Sequence, residues 1–258
     1  MRLINLMFVL LINAVPLIGV KYHGWSASTV VLLYWVENLL IAVFTSARIL
    51  LHRVLTRKRG HWRTGQLGTL VNNKPSPHGL LGEYAMMAFV FTLVHGFFVG
   101  VFISMASENH ADNPVWSVSG GQLRQGAIWM AATMLLEFLV DAATIRSRSF
   151  AWIKTYVEQR MSRVLILHVA IIAGVGGMML TDSPFALLYA LIALKTLWGL
   201  ATANASADAE TAAAQPFATA TSTGAAGRKG TGARAQAGRK PDVERGAAAL
   251  EDEQVMPA

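Results

Sequence analysis

The chain has no cysteine. That excludes disulfides, a thiolate nucleophile and thiolate metal sites. Charge is scarce as well. Only 14% of the 258 residues are charged, against 53% hydrophobic, whereas soluble domains carry about 25% charged residues. Such a deficit points to long segments that face lipid. Local catalytic signatures are also missing: there is no HExxH, GxSxG or serine–lysine motif. Gly174-Val175-Gly176-Gly177 lacks the Lys and Ser/Thr that would follow in a phosphate loop. No catalytic residue or cofactor is indicated.

Six apolar stretches are present, at 3–20, 28–51, 84–106, 126–145, 164–181 and 184–200. At 1.5 Å per residue each approaches the ~30 Å of a hydrocarbon core. The sixth is the shortest and leaves room for a tilted or re-entrant path. The expected fold is all-α: a polytopic transmembrane bundle of about six helices in residues 1–200. Leu3–Val20 is read as a retained span, because no small-residue cleavage site precedes Pro16.

The net charge of +7 does not indicate nucleic acid, because of where it lies. Residues 1–200 hold 16 Lys/Arg and 8 Asp/Glu. Loop 52–82 carries Arg53, Arg57, Lys58, Arg59, Arg63 and Lys74 with no acid. Loop 146–163 carries Arg146, Arg148, Lys154, Arg160 and Arg163 against Glu158 alone. The other loops hold only Lys21 and Arg124 as bases. The positive-inside rule then puts loops two and four, and both termini, in the cytoplasm. Loop 52–82 is a candidate contact for anionic lipid. In loop four, Phe150, Ile153, Tyr156 and Val157 recur at helical spacing, as in a short amphipathic helix on the cytoplasmic leaflet; an ordinary basic linker is the alternative. Trp116 in loop three suits the membrane interface. Residues 201–258 are rich in Ala, Thr, Gly and Ser and read as a disordered cytoplasmic tail.

Ionisable residues at membrane depth are the functional signal. Tyr34, Glu37, Asn38, Thr45 and Arg48 lie along one helical face. A lone carboxylate in mid-span costs about 2.5–3.5 kcal/mol on insertion scales, so it must face protein or water, or stay protonated. Segment three has His95; segment four has Glu137 and, one turn on, Asp141; segment five has His168 and segment six Lys195. The expected depths put Glu37, Asn38, His95 and Glu137 near the midplane. Arg48, Asp141, His168 and Lys195 belong nearer the cytoplasm. Together they predict one interior polar network, with Asp141 meeting Lys195 or Arg48, and Glu37 or Glu137 meeting His95. Gly96 with Gly100, and Ala173 with Gly177, have the small-xxx-small spacing of close helix contacts. Nothing in the spacing of His95, His168 and the carboxylates demands a metal.

Tyr34-Trp35-x-Glu37-Asn38, His95-Gly96, Arg163-x-x-x-Leu167-His168 and Lys195-Thr196 resemble an uncharacterised prokaryotic multi-pass membrane family, known only as a domain of unknown function. The resemblance covers most of residues 1–200. It implies a bacterial inner-membrane protein with these polar residues as its hallmark, and no activity. The residues point first to a transporter or channel-like protein using protonatable groups; a structural or partner-binding membrane protein is the alternative, and an intramembrane enzyme or metal site the second alternative. Oligomeric state is left open.

Overall fold

The computed structural model describes residues 2–67, 75–109, 116–162, 184–202, 208 and 250–256. Helix α1 spans Arg2–His23 and α2 spans Ala27–Thr56. A 3-10 turn follows at Arg59–Trp62. Helix α3 spans Gly79–Asn109 and α4 spans Gly120–Thr144, which runs into a 3-10 turn at Ile145–Ser147. Helix α5 is described over 150–162, and α6 spans Pro184–Thr202. Among the described residues there are helices, turns and two isolated bridges, with no strand. The fifth expected span, with His168, Ala173 and Gly177, lies outside the described residues.

Four helices, α1 to α4, are long and apolar enough to cross a membrane. Helix α6, 19 residues from Pro184 to Thr202, is the shortest of the apolar helices. Helix α2 is the hub, packed on α3, α4 and α6, while α1 packs on α4 and α6. One core gathers Ile12, Leu33, Tyr34, Met130 and Leu191 from α1, α2, α4 and α6, with Trp25 from the turn between α1 and α2. The outward faces of α3 and α4 carry exposed Met86, Phe89, Phe97, Trp129 and Leu136. Apolar exposure on this scale suits hydrocarbon contact.

Caps set the helix limits. Ser26 accepts from the Thr29 N–H at the start of α2, and Ser119 accepts from the Gln122 N–H at the start of α4. The Ser119 N–H in turn donates to Thr29 Oγ1 at 3.1 Å, joining the two caps. Trp116 beside them is buried, edge-on to Phe102. Helix α2 runs five residues beyond its expected end and stops where Arg57 takes the left-handed conformation (φ 50°).

At the opposite end, loop 57–67, the start of α5 and segment 250–256 lie together. Here the amphipathic reading of loop four needs correcting. The helix forms, but Phe150, Ile153, Tyr156 and Val157 are buried against Ile49, Leu80, Tyr84 and Ile145. Its apolar face is covered by protein rather than by the leaflet. A second compact core therefore sits under the bundle.

That core encloses two histidines. His52 Nε2 lies 3.2 Å from the Arg148 carbonyl, and His52 Nδ1 lies 2.6 Å from His61 Nε2. The carbonyl can only accept, so His52 carries its proton on Nε2. Its Nδ1 then accepts from the His61 N–H, which requires the His52 ring to be neutral. Burial first, then the neighbouring His52, Arg53 and Lys58, push His61 down to about 2.

Most of the tail, 203–207, 209–249 and 257–258, lies outside the described residues. Segment 250–256 is docked on loop two rather than free. Its composition gives no hint of this, since three adjacent acids are diluted in a long Ala-rich stretch.

Candidate functional site

Helix α2 builds the site. Its residues Tyr34, Glu37, Asn38, Thr45, Arg48, His52 and Thr56 are all buried, and they recur at spacings that keep them on one face. Glu37 and Arg48 are eleven residues apart, about 16 Å along the axis. The two anchor separate clusters.

In the upper cluster, Lys195 of α6 bonds Glu37. Both side chains are nearly inaccessible. The Lys195 ammonium also lies 4.3 Å from the Tyr34 ring centroid, and the aromatic face supplies further attraction to a cation shielded from water. The expected depth of Lys195 is corrected here. It lies eleven residues into α6, about 16 Å from the start of the helix, and so reaches the level of Glu37 rather than that of Asp141.

In the lower cluster, Arg48 Nε bonds Asp141 Oδ2 at 2.8 Å, and its Nη2 lies 3.7 Å from Glu137 Oε2. Arg160 of α5 bonds the other oxygen, Glu137 Oε1, at 2.5 Å. The Tyr156 ring contacts both guanidiniums, 5.2 Å from that of Arg48 and 4.7 Å from that of Arg160. Two acids one turn apart are thus matched by two arginines from different helices. Burial pushes the Tyr156 hydroxyl up to about 12. Burial disfavours a charged Arg160, but Glu137 and Tyr156 outweigh it and hold the guanidinium above its usual range. A void of about 10 Å³ adjoins Thr45, Arg48, Glu137, Tyr156 and Arg160, room for roughly one water.

Of the two partners expected for Asp141, the structure selects Arg48. The ion-pair partners of Glu37 and Glu137 are Lys195, and Arg160 with Arg48. His95 is buried on α3 with its ring stacked on Phe91. Beside it, Gly96 of α3 packs against the Trp35 side chain of α2 with no room for a side chain of its own. A Cβ there would lie 2.5 Å from Trp35 Nε1, which donates to the Thr92 carbonyl at 3.0 Å. Among the described residues a Cβ at Gly100 would meet nothing within 4 Å, so only the first glycine of the pair serves the contact with Trp35. Gly126, not singled out from sequence, does the same for α4: a Cβ there would lie 2.7 Å from Leu33. Tyr156 and Arg160 were also missed as site residues. Their signal was present, since they are four residues apart and share one helix face. Among the described residues no three His, Asp or Glu side chains form a metal-binding group.

These features define an all-α bundle with helices able to span a membrane and paired charges in its interior. The chain belongs to a family of unknown function (DUF6498), which matches residues 1–216. No curated protein and no solved structure matches it.

Proposed function

We propose that the chain is a structural, partner-binding protein of the bacterial inner membrane. Its buried ion pairs fix the register of α2 against α4, α5 and α6. Its basic cytoplasmic loop 52–82 meets anionic lipid. The observation that carries this reading is charge balance: Glu37, Glu137 and Asp141 each hold a basic partner. The void beside the lower cluster admits about one water, not a hydrated solute. Removing one member of a buried pair strands the other, so such pairs specify a single packing.

A transporter or channel-like role with protonatable groups is the second reading. It rests on that same water-sized void, which is bordered by Glu137 and Tyr156 and provides one step of a proton path. Reconstituted vesicles separate the two. The structural reading expects Glu37→Gln and Glu137→Gln to lower thermal stability, with no pH-dependent ion flux above that of protein-free vesicles. Flux in the unaltered protein that disappears in Glu37→Gln or His95→Ala would overturn it in favour of transport.

A further inference from the structure

Segment 250–256 occupies the basic loop in a manner that fits a dedicated anion-binding seat. Its backbone pairs with the chain just after α2: the Arg59 N–H donates to the Gln254 carbonyl at 2.8 Å, and the Met256 N–H to the Arg57 carbonyl at 2.9 Å. Lys58 and Val255 form an antiparallel bridge. Three consecutive acids then face the loop. Glu253 accepts from Lys58 Nζ at 2.6 Å and from the Ala151 N–H, at the start of α5, at 3.0 Å. Glu251 bonds Arg63 at 2.6 Å, and Asp252 lies 3.4 Å from Arg63 and 3.3 Å from Gln66. Lys58 is aimed by the Arg148 carbonyl, 3.1 Å away. Burial works against a charged Glu253, but Lys58 and the N–H groups of Ala151 and Phe150 outweigh it and hold the carboxyl below its usual range.

The same seat adjoins the end of a helix long and apolar enough to cross a membrane. The span-length helix α2 ends at Thr56, directly before the paired segment 57–59. An open groove of about 400 Å³ beside it is lined by Arg53, Val54, Arg57, Trp62 and Met256. Arg53 stacks on Trp62 at 4.7 Å, and Leu50, Val54 and Leu55 point outward with their apolar side chains exposed. Arginines with a tryptophan at the end of a span are the chemistry that holds a phospholipid phosphate.

We infer that Lys58, Arg63 and the first N–H groups of α5 form a binding site for the phosphates of anionic phospholipid. The chain's own acidic hook, Glu251-Asp252-Glu253, fills this site as an internal competitor. This rests on the partner-binding reading and adds its regulation. In a neutral bilayer the hook stays seated. An anionic surface attracts Lys58 and Arg63 and repels the three acids, and both effects favour release.

The absence of native cysteine makes the test direct on the full chain. Spin labels at Ser147→Cys and Leu250→Cys report the seating of the hook as a distance. In neutral nanodiscs a single short distance is expected. In nanodiscs rich in anionic phospholipid a longer, broad distribution is expected to dominate. Glu251→Gln with Glu253→Gln is expected to show the long distribution already in neutral lipid, and to retain more anionic lipid on purification than the unaltered chain. A short distance that persists in anionic lipid would overturn the competition and leave the hook a fixed brace. Release by soluble polyglutamate but not by anionic lipid would overturn the lipid assignment in favour of an acidic protein partner. Failure of the underlying partner-binding reading is seen separately: the hook-free chain would then retain no more anionic lipid than one carrying Lys58→Gln and Arg63→Gln.

Discussion

The ammonium of Lys195 bonds the carboxylate of Glu37 inside the bundle, with the ring of Tyr34 against it. Each charge is stabilised there by the other. Removing one partner of a buried pair costs about 3–5 kcal/mol, whereas replacing both with apolar groups is often neutral. Glu37→Leu and Lys195→Met are therefore each expected to lower the unfolding temperature in detergent sharply. The double variant is expected to recover most of the loss. Additive losses would show that the pair is not coupled.

Arg48 and Arg160 carry unequal loads. Arg48 serves both Asp141 and Glu137, while Arg160 serves Glu137, which keeps Arg48 as a second partner. Arg48→Leu is expected to destabilise more than Arg160→Leu, by about 1 kcal/mol or more, since it leaves Asp141 stranded. Denaturant titration of both variants measures the difference; equal losses would contradict the assigned geometry.

The two glycines of α3 make a matched experiment. Gly96→Ala places a methyl against the Trp35 indole, while Gly100→Ala places one where no described residue lies within 4 Å. Overpacking costs about 1–3 kcal/mol. Alanine at an unobstructed helix position gains up to about 1 kcal/mol over glycine. Opposite signs are expected in thermal melts.

The neutral His61 sets a pH dependence. Its folded pKa of about 2 lies below the unfolded value near 6.5. Between those values the unfolded chain binds a proton that the folded chain refuses. Stability is therefore intact above pH ~6.5 and falls as pH drops below it, by up to about 1.4 kcal/mol per pH unit for this group. His61→Asn is expected to flatten the dependence between pH 6.5 and 5. A slope unchanged by the substitution would rule out His61 as its source.

What could be read from sequence follows the reach of each signal. Helical periodicity fixes which residues share a face, and Tyr34, Glu37, Asn38, Thr45 and Arg48 do share the buried face of α2. Periodicity does not fix the partner across a helix contact. The depth of Lys195 depends on where α6 starts, so its pairing with Glu37 was out of reach. The apolar face of α5 has the same pattern whether lipid or protein covers it, which concealed Tyr156 and Arg160. Gly96 and Gly100 are equivalent in spacing, and only the placement of Trp35 distinguishes them. At the chain end, local composition cannot reveal that Glu253 meets Lys58, 195 residues earlier.

Tyr156 belongs to two neighbourhoods at once. Its ring is packed in the lower core with Ile49 and Phe150, and the same ring contacts the guanidiniums of Arg48 and Arg160. It therefore acts as a fulcrum. A rotation of the helix that carries it shifts the ring and alters the spacing of both cations around Glu137, so a push delivered below the bundle is registered among the charges within it.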